Sequence, residues 1–308
     1  MLQHNHNHDD ELHSHHAEPL TNINTAFVYG ILLNFLFVII EVIAGLYVNS
    51  LSLLSDAGHN LADVAALSLS LLAFRLAKAK PNEQYTYGYS KTTILVALLN
   101  AMVLLVSIGA IAYEAVHRFL HPEPLPGKMI AMVAGVGIII NSVTAMLFFR
   151  EKEKDLNVKS AYLHLLSDAM VSLAIVIGGI IMFYTNYFWI DAALSMIIVI
   201  VILITTWNLL RSSLRLSMDA VPENITIEKV KAEAEKVEGV KNIHHIHLWA
   251  ISTTRNALTA HVVVDKNKSL LQIENIKHQV KHTFERLNIH HATLEIEPDD
   301  GSCDDEVH

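Results

Sequence analysis

The sequence predicts a helical membrane domain of six transmembrane helices joined to a small cytoplasmic α+β domain of order αββαβ. Three observations predict it. Between residues 25 and 210 lie six apolar stretches, each near the ~20 helical residues that a hydrocarbon core of roughly 30 Å requires. Lys and Arg gather in alternate connections between those stretches. After Ser217 the chain turns polar and its hydrophobic periodicity changes. Composition agrees. Of 308 residues, 52% are hydrophobic and 17% charged, against about 25% charged in an average soluble domain. Mean hydropathy is +0.36. A net charge of −9 repels phosphate backbones, so no nucleic-acid partner is expected. The single cysteine, Cys303, permits no internal disulfide and excludes a thiolate metal cluster. The chain carries 19 histidines, nearly as many as its 22 Lys and Arg.

Residues 1–24 hold His4, His6, His8, His13, His15 and His16 among acids. A basic n-region and an apolar core are both missing, so this is read as a disordered His-rich tail and not a signal peptide. Its alternating imidazoles suit weak, fast metal capture; a tail without a role is the plain alternative. The membrane domain is expected over 25–217, with spans at about 25–48, 51–74, 93–116, 129–149, 158–184 and 188–210. Buried helices of a large soluble protein are the alternative, and six such stretches in one block argue against it.

Orientation follows from basic residues in short loops. Arg75, Lys78, Lys80, Lys91, Arg150, Lys152, Lys154, Lys159, Arg211 and Arg215 lie on one side, against Arg118 and Lys128 on the other. Both termini are therefore expected in the cytoplasm.

The second domain is expected over 218–298. Pro222 breaks the preceding helix. Ile225 to Glu238 has helical spacing and stops at Gly239. Val240–Ser252 and Ala257–Asp265 read as strands around a polar turn. Ser269–Leu287 reads as a second amphipathic helix, and His291–Glu297 alternates as a third strand. That order gives a small open sheet with helices on one face. Residues 299–308 form an acidic tail.

Ionisable groups within spanning helices are costly and usually functional. Asp56, His59 and Asp63 fall at i, i+3 and i+7 in the second span, on one helical stripe. His164 and Asp168 repeat the H-x-x-x-D spacing in the fifth. Brought together, two imidazoles and two carboxylates offer four N/O ligands without sulfur, a set that suits Zn²⁺. A polar zipper between helices is the structural alternative. Two carboxylates and one dication sum to zero, whereas the empty site would hold two negative charges in a low dielectric. Protons on the same groups would relieve that charge, which suggests metal–proton exchange. Asp56 is read first as a group that orients His59, with direct proton binding as the alternative. Asn60 either approaches the stripe or packs helices. Glu41, Asn100 and Asn141 are read as interhelical hydrogen-bonding groups.

Several segments resemble the cation diffusion facilitator family, its zinc-transporter branch in particular. They are Ser55-Asp56-Ala57-Gly58-His59-Asn60-Leu61-Ala62-Asp63, Tyr87-Gly88-Tyr89-Ser90-Lys91, His164-Leu165-Leu166-Ser167-Asp168 and His244-His245-Ile246-His247-Leu248-Trp249. The similarity runs from about residue 25 to 298. It implies a homodimeric exporter in the plasma (inner) membrane, with a transport site at His59, Asp63, His164 and Asp168. It also implies a metallochaperone-like soluble domain whose metal-ligand positions fall at His244, His261, Glu274, Glu295 and Glu297. His245 and His247 either substitute as ligands or face away. Lys91 and Asp219 match a charge pair that links the two domains in relatives. Residues 75–90 contain neither His nor Asp, so the loop metal site of some relatives is expected to be absent.

The expected function is secondary export of Zn²⁺, with Cd²⁺ or Co²⁺ as further substrates, in exchange for H⁺. No organic cofactor is implied. A membrane-bound metal sensor or buffer is one rival. An intramembrane metalloenzyme is another, although no H-E-x-x-H occurs.

Overall fold

In the computed structural model, residues 21–47, 51–120, 128–185 and 189–299 are described. Within the helices the side chains of Asp56 and His59 lie outside the described set, as do the His-rich and acidic tails. Six long helices come first: α1 (Thr21–Tyr47), α2 (Leu51–Ala77), α3 (Thr92–Leu120), α4 (Lys128–Phe148), α5 (Leu156–Thr185) and α6 (Trp189–Ser217). The small domain follows as α7 (Ile227–Glu235), β1 (Val240–Ala250), β2 (Asn256–Val264), α8 (Leu270–Arg286) and β3 (Ile289–Pro298). Helix α6 runs to Ser217, past the apolar stretch ending near residue 210, because its last two turns carry Arg211 and Arg215 toward water.

Among the described residues, three helices hold a segment long and apolar enough to cross a membrane. These are Asn24–Tyr47, Thr92–His117 and Val199–Ser217, and a shorter apolar segment spans Gly135–Phe148. Large apolar side chains point outward, as Leu32, Ile43, Val106 and Met146 do. Polar ones point inward, as Asn34, Glu41, Asn100 and Asn141 do. That inverted pattern is stable only where the surroundings are themselves apolar.

Helices α1, α2, α4 and α5 share one core. Phe27 meets Phe74 and Phe148 with ring centroids 5.5 and 4.8 Å apart. Leu67, Val158, Ala161 and Leu165 complete the cluster. Gly137 allows α4 to approach α1 closely: a Cβ there would lie 2.8 Å from the Phe37 ring. Helices α3 and α6 pack mainly on each other through Leu104, Ile108, Val199 and Ile202.

In the small domain the sheet order is β1-β2-β3. β1 and β2 pair antiparallel, while β2 and β3 pair parallel, with α8 as the crossover. Ser269 and Gln272 form a capping box at the start of α8, and Thr226 caps α7. Helix α7 ends at Glu235, earlier than its periodicity suggests. Gly239, with φ of +97°, then turns the chain into β1. Alternation along β2 buries Ala260, Val262 and Val264 against Ile276, Val280 and Phe284 of α8. His261 therefore faces the opposite side of the sheet.

Candidate metal centre

Asp63 and His164 meet in the interior between α2 and α5, at 3% and 7% exposure. His164 Nε2 stands 2.5 Å from Asp63 Oδ1 and 3.6 Å from Asp168 Oδ2. The donor atoms of all three residues lie within 4.8 Å of one another. Leu165, fully buried in the α1/α2/α4/α5 core, fixes the rotation of α5 beside His164. The backbone of α2 continues through residue 59, one turn before Asp63. That spacing sets His59 on the stripe that carries Asp63.

Asn60 turns elsewhere. Its Nδ2 donates to Glu41 Oε2 of α1 at 2.8 Å, so it holds α1 to α2 and does not line the acid–imidazole cluster. Of the two residues read as supporting the transport site, Asn60 is thus a packing group. Asn100 likewise donates to Ser70 Oγ at 2.7 Å, linking α3 to α2.

The small domain carries a second cluster. His244 and His261 are direct cross-strand partners in β1 and β2. Glu297 of β3 reaches both, at 2.5 Å from His261 Nδ1 and 3.3 Å from His244 Nε2. Glu295 lies 3.6 Å from His261 Nε2 and is largely exposed. Glu274 is not brought to the cluster within one chain. It sits on α8, exposed, and pairs with Lys277 at 3.2 Å, because α8 covers the face of the sheet away from His261.

His245 joins the cluster instead. The β1–β2 register slips between His244 and His247, and His245 adopts φ of +47°. A bulge of this kind lets two adjacent side chains face one partner. The three rings stand 5.2, 5.4 and 4.9 Å apart pairwise, and their donor atoms also fall within 4.8 Å. Three imidazoles beside a carboxylate are a donor set that fits tetrahedral zinc.

The domains touch at several points. Lys91 Nζ lies 2.6 Å from Asp219 Oδ1, so that predicted pair is assembled. The Tyr87 ring meets His291 edge-on at 5.4 Å. A buried contact was not anticipated: Thr253, in the β1–β2 turn, donates its hydroxyl to Asp155 and its N–H to Thr93 Oγ1 at 3.1 Å. Burial pushes the Asp155 carboxyl above its usual range, against hydrogen bonds from Thr253, Asn157 and Val158 that lower it.

Long helices with polar interiors, an interior cluster of acids and imidazole that could hold a metal, and a small mixed-sheet domain define a class of membrane protein. Known proteins narrow this class. Residues 27–216 match the cation efflux transmembrane domain, and residues 222–299 match the cation efflux protein cytoplasmic domain. The chain belongs to the cation efflux family, whose members are transporters and not enzymes. It is 34% identical over 273 residues to a cadmium, cobalt and zinc/H⁺–K⁺ antiporter of Bacillus subtilis, covering 88% of each chain. It is 34% identical to the zinc transporter ZitB of Pectobacterium atrosepticum, over 99% of this chain and 91% of that one. It is also 34% identical to the metal cation efflux system protein CzcD of Cupriavidus metallidurans, over 85% and 82% respectively.

Proposed function

We propose that this protein exports Zn²⁺ from the cytoplasm in exchange for H⁺, with Cd²⁺ and Co²⁺ as further substrates. The observation that carries this reading is the buried meeting of Asp63, His164 and Asp168 from two helices. With His59 one turn from Asp63, they form a set of two imidazoles and two carboxylates that suits a tetrahedral divalent ion. The charge sum explains the exchange. A bound dication neutralises both aspartates, and its departure leaves a charge that a low dielectric penalises until protons replace it. Metal and protons therefore compete for the same atoms. The names of the B. subtilis and P. atrosepticum relatives support both the metal and the counter-ion.

In this reading all six long helices cross the plasma (inner) membrane, over a domain spanning 25–217, and both termini are cytoplasmic. α2, the least apolar of the six, gains its place by packing around the polar interior. The 218–298 domain pairs two copies into a homodimer and holds additional metal at His244, His261 and Glu297. Lys91 and Asp219 help seat that domain. The His-rich tail at His4, His6, His8, His13, His15 and His16 gathers metal weakly, and Asp56 orients His59.

The test is metal resistance in cells stripped of their own zinc exporters. Wild type should restore growth in zinc and Asp168→Ala should not. Equal protection by both would contradict transport through this site.

A further inference from the structure

An ion moving from the cytoplasm to Asp63 and His164 has a defined approach. A cavity lies between α2, α3 and α5, lined by Asp63, Ser70, Asn100, Ser160, Ala161 and His164. On α5, Asn157, Ser160, Ala161 and His164 fall at i, i+3, i+4 and i+7, so they share one face. Asn157 thus lies about 10 Å nearer the cytoplasmic end of that face than His164. On α3, Thr93 and Asn100 are likewise i and i+7. Asn157 Nδ2 donates to the Thr93 carbonyl at 2.8 Å, and both residues are buried. A bond between α5 and α3 thus stands on the cytoplasmic side of the cavity.

The β1–β2 turn sits over that bond. Thr253 takes hold of α5 through Asp155 and of α3 through Thr93 Oγ1. α3 packs chiefly on α6, and α5 chiefly on α4, with Leu163 of α5 also resting on the α3/α6 cluster. Asp155 is 3% exposed, unlike the half-exposed Lys91–Asp219 pair beside it. Its two oxygens are divided in use. Oδ1 caps α5 by accepting from the Asn157 and Val158 N–H groups at 2.7 and 3.3 Å, while Oδ2 accepts from Thr253. Thr93 keeps its own bond to the Ser90 carbonyl at 2.9 Å. Withdrawal of Thr253 therefore leaves both helix ends capped, with the Asn157–Thr93 bond as the polar link that must then break for the ends to part.

We propose that the β1–β2 turn is the cytoplasmic gate of the ion path, with Thr253 as the pin that locks α3 to α5 over the cavity leading to Asp63 and His164. Its role as a gate rests on the exporter reading. Thr253 is a positioning residue: it touches no transported ion and acts through Asp155 and Thr93. Movement of the small domain, which carries the turn between β1 and β2, withdraws the pin and opens the path.

The test uses the full chain in membrane vesicles. Cys303→Ser removes the one cysteine, and Ser160→Cys adds a reporter in the cavity wall. A membrane-impermeant maleimide is applied from the cytoplasmic face. With the pin intact, labelling is slow. Thr253→Val, similar in volume but without the hydroxyl, should speed it about fivefold, the scale of losing one hydrogen bond that favours the closed state. Thr253→Ser should restore the slow rate. A separate reporter, Thr206→Cys, buried in α6, should stay unlabelled throughout, which separates gate opening from general loosening. If Thr253→Val does not insert, Thr93→Val removes the other hold and should act alike. Equal labelling of the pinned and Thr253→Val chains, or faster labelling of Thr206→Cys in step with Ser160→Cys, would overturn the gate. Zinc resistance of Asp168→Ala tests the exporter reading separately, so failure of either is recognisable by itself.

Discussion

The two clusters of this chain whose donor atoms could hold a metal use similar atoms in opposite surroundings. Asp63, His164 and Asp168 are shut between helices, with two carboxylates for each described imidazole. His244, His245 and His261 lie partly open on a sheet face, with Glu297 as their nearest carboxylate. Burial changes what such atoms can do. An empty cluster with two buried aspartates carries a charge that its surroundings cannot solvate, so departure of the metal must be matched by protons. An open, imidazole-rich cluster is solvated when empty and has no such obligation. The first is suited to exchange and the second to holding.

The largest effect that would sharpen this contrast is expected at Asp168. Asp168→Ala should lower zinc flux by about 100-fold or more, since a lost ligand should cost at least as much as a lost supporting partner; flux in vesicles checks it. A smaller effect belongs to the helix interior. Asn60→Ala removes a donor from the buried Glu41 carboxylate and should cost about 1–3 kcal/mol, read as a fall in Tm. Replacing both residues by Leu should recover most of that loss.

At the open cluster, His245→Ala should weaken metal binding by the soluble domain about tenfold, the low end for altering a metal's surroundings, while flux stays within about threefold. Equilibrium dialysis in an Asp63→Ala/Asp168→Ala background isolates this binding. A tenfold loss of flux would break the division between exchange and holding.

Asp155 gives a pH dependence with a defined sign. Its folded-state pKa is raised by burial above the ordinary 3.8, so the folded form prefers the proton. Its favourable contribution is complete below 3.8 and fades as pH rises through the raised value. Thermal stability across that acidic window should fall less steeply with rising pH in Asp155→Asn than in wild type. The smallest effect is expected at Lys91. It and Asp219 are about half exposed, and Lys91→Ala should change stability by less than about 1 kcal/mol.

Much of the buried cluster was legible in the sequence, because H-x-x-x-D on a helix fixes a shared face whatever surrounds it. The pairing of α2 with α5 is what the structure adds. Along strands, legibility was poorer. Period-two alternation puts His245 on the face opposite His244, and only the bulge at φ of +47° turns it back. The Glu41–Asn60 bond joins residues on different helices, so Asn60 looked equally suited to the metal stripe. Asp155 lies outside every apolar stretch and meets Thr253 from the far domain. A charged loop residue and a turn threonine carry no periodic signal that pairs them. Glu274 shows the converse: a position transferred by resemblance sits on a helix that covers the other face of the sheet.

The most direct measurement reconstitutes the purified protein in liposomes and follows zinc and proton movement together, with a zinc dye and a pH dye, under an imposed pH gradient. Protons should move opposite to zinc, the gradient should accelerate zinc, and Asp63→Ala should abolish both signals together. Zinc flux that ignores the gradient and leaves the proton signal flat would contradict exchange at the buried aspartates.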